Sequence, residues 1–249
     1  MKKKSYSQSN LFIRSLLFSV YSVTTISLYS LLLTICFVLP LRVRQAMTRG
    51  FLYVYVDVLK FLCRIDYEIE GLSHIPTDRA VVVLSKHQST WETFFLPTVF
   101  HNPAIILKRE LLWVPFFGWG LAAGDPIAID RGNKTSAMRQ IIHKGKKCLA
   151  GGRSVLFFPE GTRVPYGQVG HYKLGGARLA VAANAPVVPV AHNAGAYWPR
   201  RRFIKQPGTI RVVIGPVIES VGRTPDEVMM LAREWIETTI NNIGIEENA

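Results

Sequence analysis

The chain has 249 residues, 49% of them hydrophobic and 19% charged, and carries a formal net charge of +13. That composition excludes a disordered polymer and suits one sizeable core, with or without a membrane anchor. The basic excess points to anionic partners: phospholipid headgroups, phosphorylated substrates or nucleic acid. Cys36, Cys63 and Cys148 are too widely spaced to suggest a disulfide framework or a zinc site.

Lys2, Lys3 and Lys4 open the chain, and from Ser15 to Leu41 no charged residue occurs. A bilayer core needs roughly 20 apolar residues as helix, so this run predicts a membrane-embedded segment. Its serines and threonines are compatible with that reading because their hydroxyls can bond back to the helix backbone. The run is long for a signal peptide and no small-x-small cleavage site closes it. Arg14 flanks one side and Arg42, Arg44 and Arg49 the other, so the positive-inside rule leaves orientation open. Phe51 to Cys63 reads as a second helix, either interfacial or packed on a soluble domain.

From Ile65 onward short β-like runs alternate with helical stretches. Strands are predicted at Tyr67–Glu70, Ala80–Leu84, Ala104–Lys108, Pro126–Ile129, Ser154–Phe158, Val187–Ala191 and Ile210–Ile214. Helices are predicted near Ser89–Val99, Thr135–Leu149, Gly175–Ala183 and Thr224–Asn241. The last opens on an N-cap threonine, a proline and two acids. The alternation predicts an α/β fold, a mixed and largely parallel central sheet flanked by helices, preceded by the membrane-embedded segment. The expected division is an anchor over residues 1–63 and a globular domain over 64–249.

Several strand ends carry chemistry. Lys86-His87-Gln88-Ser89-Thr90-Trp91-Glu92 follows the apolar run Val81 to Leu84. A bend there would bring the Glu92 carboxylate onto the His87 ring, fixing its tautomer and leaving the other nitrogen as a base. Ser89-x-x-Glu92 also fits a helix capping box. Phe158-Pro159-Glu160-Gly161-Thr162-Arg163 combines a permissive glycine, a hydroxyl and a guanidinium fork suited to phosphate oxygens; a strand-to-turn junction with a surface arginine is the plainer reading. Asp125 to Arg131 and Ala185 to Ala191 complete the set. Trp91, Trp113, Trp119 and Trp198 read as interfacial anchors or core residues. Arg200, Arg201 and Arg202 read as a lipid-facing or solvated run.

The order of these blocks resembles the glycerolipid acyltransferase family, above all the 1-acylglycerol-3-phosphate (lysophosphatidate) acyltransferases. The likeness runs from about Tyr67 to Pro216 and includes Leu107 to Leu111 and Pro115 to Gly120. One departure is Glu92, where the family has aspartate; the extra methylene requires another rotamer or a shifted helix to reach His87. The resemblance implies direct acyl transfer from acyl-CoA or acyl carrier protein to the free hydroxyl of a lysophospholipid, with His87 and Glu92 catalytic. It implies that Arg163, with Gly161 and Thr162, holds the acceptor phosphate and that Glu160 shapes the block; Arg131 and Lys108 are further candidates. No metal or cofactor is expected, and no Gly-x-Ser-x-Gly elbow is present. Expected partners are the donor, the lysolipid and membrane lipids, not nucleic acid, for which no helix-turn-helix, zinc-finger or RNP pattern exists. The implied location is the inner or plasma membrane, catalytic domain on the cytoplasmic side. Alternatives are a sister enzyme acting on another lyso-lipid or glycerol-3-phosphate, and a catalytically silent membrane-surface protein on the same fold.

Overall fold

The computed structural model describes residues 6–244 apart from Asn102 and Arg131. Two long helices lead, α1 (Gln8–Ile35) and α2 (Leu41–Cys63), and they pack on each other. Pro40, with φ of −53°, starts α2 after a tight turn. The α1 hydroxyls bond back one turn, Ser19 to the Ser15 carbonyl (2.7 Å), Ser22 to Phe18 (2.7 Å) and Thr25 to Tyr21 (2.8 Å). That satisfies them inside an apolar helix, as the sequence led one to expect. Ile13, Leu17, Val20, Val23, Leu28 and Ile35 stay exposed along α1. Only 17% of its most apolar stretch is buried, and Gln8–Val38 is long and apolar enough to cross a membrane.

The arginines read as flanks lie inside these helices. Arg14 donates to the Leu62 carbonyl (2.7 Å) and Arg44 to that of Ala123 (2.7 Å), so the first ties α1 to α2 and the second ties α2 to Ala123. Lys2 to Lys4 fall outside the described residues.

The sheet comprises β1 (Ile65–Glu70), β2 (Val82–Ser85), β3 (Ala104–Lys108), β4 (Ile127–Ile129), β5 (Val155–Phe157), β6 (Val187–His192) and β7 (Gly208–Ile214). Its order is β1-β7-β6-β2-β5-β3-β4, parallel throughout except for the β6–β7 pair. The predicted mixed, largely parallel sheet is therefore present. The prolines of Ala185 to Ala191 do not merely bound the strand, however; Pro189 lies within β6, opposite Leu84. Its carbonyl accepts from Gly215 N–H (2.8 Å), so the missing donor falls just beyond the last paired residue of β7.

Alternation along the strands builds two cores. Val82, Leu84, Val187 and Ala191 face a layer of α5 (Lys134–Ala150), α6 (Gly175–Ala183) and α8 (Pro225–Ile243). Val81, Val83, Val188 and Val190 face the other layer, formed by α1, α2, α3 (Trp91–Val99) and the short α7 (Ala194–Tyr197). Helix α8 begins with a complete capping box between Thr224 and Glu227. Helix α4 (Phe117–Ala123) was not predicted. It packs so closely on α1 that a Cβ on Gly120 would sit 2.4 Å from Ser30 Oγ. The carboxyl ends of the central parallel strands converge on one edge, the usual ligand edge of such sheets.

Candidate active site

β2 ends at Ser85, and the chain then turns sharply through Lys86 and His87 into α3. Two buried carboxylates hold this turn. Glu160 Oε2 accepts the His87 backbone N–H (2.7 Å). Glu92 accepts from Gln88 N–H (3.0 Å) and Ser89 N–H (2.9 Å) and also meets His87 Nδ1 at 2.8 Å. Only half of the capping box forms: the N-cap of α3 is Thr90 and Ser89 Oγ meets Trp91 N–H, but the reach back to Ser89 N–H is made by Glu92. Its carboxylate binds the backbone at the head of α3 and the imidazole together, and the added methylene does not keep it from the ring. Ser89 Oγ accepts from Trp91 N–H (3.2 Å) and donates to the Trp198 carbonyl (2.7 Å).

With the Glu92 carboxylate accepting at Nδ1, a neutral His87 carries its proton there and leaves Nε2 basic. The ring stacks on Phe158, centroids 4.3 Å apart, and its side chain keeps 15% exposure. Burial raises the pKa of Glu92, but the His87 hydrogen bond, the neighbouring histidines and the Ser89 N–H outweigh it and hold the carboxyl below its ordinary range. Behind the pair His192 is fully buried. It accepts Ala194 N–H at Nδ1 (3.3 Å), so Nε2 donates to the Lys86 carbonyl (2.9 Å); burial depresses its pKa.

Lys86 was not singled out in the sequence. It is wholly buried, with Nζ 2.8 Å from Glu160 and 2.7 Å from Glu237 of α8, and it donates to the Gln168 carbonyl (3.1 Å). Tyr172 donates to the same Glu237 oxygen (2.7 Å). Burial raises the pKa of Glu160 despite the ammonium beside it. A lysine directly after an apolar strand was the available signal; Glu237, 151 residues further on, gave none.

Gly161 has φ of +68°, which lets the chain turn after Glu160, and a Cβ there would stand 2.8 Å from Lys173 Nζ. Arg163 returns toward the histidine. Its guanidinium donates to Thr90 Oγ1, its carbonyl accepts from Arg200 (2.8 Å), and Val164 N–H donates to the His87 carbonyl (2.8 Å). Arg200 of the basic run thus braces the Arg163 backbone. Thr162 is exposed and does not line the cavity described next, and Glu160 acts through Lys86 and the His87 backbone. Lys108 lines the cavity at the end of β3 and pairs with Glu110 (3.0 Å). Arg131 lies outside the described residues.

His87, Arg163 and Gly161 open onto a cavity of about 2050 Å³. Pockets for single small ligands are usually about 300–1,000 Å³, so there is room for more than one substrate. One wall is apolar and comes from the hairpin and its neighbours, including Val23, Ile26, Leu52, Pro97 and Leu121. The opposite wall comes from α5 and α6. Among the described residues, lysines and arginines line the cavity at eight positions and a carboxylate at one, Asp226. Lys205 is among the cations: it is 6% exposed, its ammonium is surrounded by Phe18, Trp198 and Phe203, and its N–H donates to Ser15 Oγ (2.9 Å). Trp91 is core, whereas Trp113 and Trp119 are exposed beside Phe116. Among the described residues no group of three or more His, Cys, Asp or Glu could hold a metal ion.

A family model described as acyltransferase matches residues 66–193. The chain belongs to the acyltransferase family. Over 211 residues, 83% of this chain and 82% of the relative, it is 46% identical to a Pseudomonas aeruginosa protein named 1-acyl-sn-glycerol-3-phosphate acyltransferase. It is 33% identical over 178 residues to the human protein named 1-acyl-sn-glycerol-3-phosphate acyltransferase alpha, covering 70% of this chain and 62% of that one. The fold of this acyltransferase is similar to that of the Thermotoga maritima protein PlsC, described as an acyltransferase of 1-acyl-sn-glycerophosphate. That match has a TM-score of 0.78 and 24% identity, and covers 93% of this chain and 95% of that one.

Proposed function

We propose that this acyltransferase moves a fatty acyl group from a thioester, acyl-CoA or acyl carrier protein, to the free hydroxyl of 1-acyl-glycerol-3-phosphate, forming phosphatidic acid. The observation that carries the proposal is the ring of His87. Its Nδ1 is engaged by a buried carboxylate, and its exposed edge borders a cavity with an apolar wall and a guanidinium nearby.

In this reading His87 Nε2 takes the proton of the glycerol hydroxyl as its oxygen attacks the thioester carbonyl. The new C–O bond forms, the C–S bond breaks, and the departing thiolate takes the proton back from the imidazolium. Glu92 orients the ring and stabilises its charged form. Arg163, already in the cavity, receives the acceptor phosphate through its fork, with Gly161 giving backbone clearance and Lys108 a further cation. Glu160 and Lys86 position the His87 turn. The apolar wall takes the lipid chains. Thr162, outside the cavity, carries no part of this mechanism, and Arg131 stays a further candidate for the acceptor phosphate.

Residues 1–63 act as the membrane anchor and 64–249 as the catalytic domain. The exposed apolar surface of α1, with Trp113, Phe116 and Trp119 beside it, supports burial in the lipid of the inner or plasma membrane. The charged donor supports a catalytic domain on the cytoplasmic side.

The test is an acceptor panel with the purified full-length protein in lipid nanodiscs: lysophosphatidate, glycerol-3-phosphate and lysolipids of other headgroups, each with both donor types. Phosphatidate as the main product is expected. A preference for another acceptor would overturn the acceptor assignment, and no transfer to any acceptor would overturn the reaction.

A further inference from the structure

The cavity has a second polar region that the proposed chemistry does not use. On α5, Arg139, His143 and Lys146 follow one another at spacings of four and three, which puts them on one face of the helix. All three line the cavity and are exposed. Arg178 of α6 and Lys173 before it line the same region. Helix packing brings the two basic elements side by side. A Cβ on Gly145 would stand 2.4 Å from Leu179 Cδ2, so the glycine lets α5 lie close against α6, next to Arg178. None of these five side chains forms an ion pair with a carboxylate among the described residues. Among the described residues Asp226 is the single carboxylate in the lining, so the field there is strongly positive.

Position separates this wall from the acceptor's, the two meeting at Lys173, whose Nζ lies beside Gly161. Helices α5 and α6 cover one face of the sheet, and α1, α2 and α3 cover the other. His87 sits between them, on the carboxyl edge of β2. A lysolipid entering along the hairpin meets Arg163 and His87 from one side, so the α5–α6 wall is left for the second substrate. We propose that Arg139, His143, Lys146, Lys173 and Arg178 form the donor subsite, which holds the phosphates of a nucleotide-bearing thioester while its acyl–sulfur bond reaches His87. The reading rests on the acyl transfer proposed above. A recessed wall that shares a cavity with the catalytic histidine suits a small polyanion, whereas a carrier protein would need a protruding surface. Lys144 and Lys147 of α5 do not line the cavity, face outward and are not part of the subsite.

The experiment has two arms, both on the full-length protein in nanodiscs. In the first, free CoA is titrated calorimetrically into wild type and into Arg139→Ala/Arg178→Ala. Binding about tenfold weaker in the variant is expected from the loss of two solvent-exposed ionic contacts. In the second, kcat/KM for palmitoyl-CoA is divided by that for palmitoyl-pantetheine, which lacks the nucleotide, with lysophosphatidate as acceptor. The ratio is expected to fall about tenfold in the variant, through KM for palmitoyl-CoA. Equal CoA affinity in the two proteins, or equal losses with both thioesters, would overturn the subsite. Charge-dependent CoA binding in a protein that acylates no lysophosphatidate would support the subsite and sink the acceptor reading.

Discussion

Replacing Glu92 with glutamine separates its two duties. The substitution keeps the shape, removes the charge and turns one acceptor oxygen into a donor. In the native protein the carboxylate accepts from two backbone N–H groups and from the His87 ring, all within 3.1 Å, and is wholly buried. The amide oxygen can keep the place of Oε1, which takes all three contacts, but the amide nitrogen then stands in the place of Oε2, 3.1 Å from Ser89 N, donor against donor, at a cost of about 1–3 kcal/mol of stability. The imidazolium formed during transfer loses its counter-charge, and the tautomer with Nδ1–H is no longer enforced. General-base catalysis is worth about 10²–10⁴-fold, so kcat should fall by about that range with little change in KM for the acceptor. The assay is steady-state phosphatidate formation, with melting curves to verify that the variant is folded. If the folded variant keeps nearly wild-type kcat while His87→Ala is inactive, Glu92 is a helix cap and the orienting role is refuted.

Lys86→Met leaves Glu160 and Glu237 buried without their cation and should cost about 3–5 kcal/mol, a fall of roughly 10 °C in melting temperature; adding Glu160→Gln should recover part of it. His192 is held neutral, with its pKa below the ordinary 6.5, so the unfolded chain binds more protons in mild acid and stability falls as pH drops through that value. Glu160, raised by burial, acts in the opposite sense, so the quantity to measure is the pH slope of the melting temperature in wild type minus that in His192→Asn; a zero difference would contradict the assignment. Arg163→Lys keeps the charge but loses the fork, and should raise KM for lysophosphatidate about tenfold while leaving the folded state intact.

Much of the fold was legible because its signals are local. Gly175–Ala183 was read with its observed bounds, and the α8 start was visible in Thr224-Pro225-Asp226-Glu227. Ala104–Lys108 was likewise read with its observed bounds, while the other strands' bounds moved by one or two residues, since pairing with a neighbour and not propensity sets them. Helix α4 was missed because Phe117-Gly-Trp-Gly has poor helix propensity; its glycines serve close packing against α1 and the preceding turn. In the site, His87, Glu92, Gly161 and Arg163 were legible because they cluster in short blocks after strands. Lys86, His192 and Glu237 were not, because burial and partners distant in sequence define their parts. Thr162 was chosen for its chemistry, yet the turn at Gly161 leaves it outside the cavity.

The central claim is that His87 is the base of an acyl transfer to lysophosphatidate. Its most direct test is phosphatidate formation from a labelled acyl thioester by wild type and by a folded His87→Ala variant, both in nanodiscs. The account predicts product from wild type and a loss of at least about 10² in kcat for the variant, with lysophosphatidate binding retained. Comparable rates in the two proteins would contradict it.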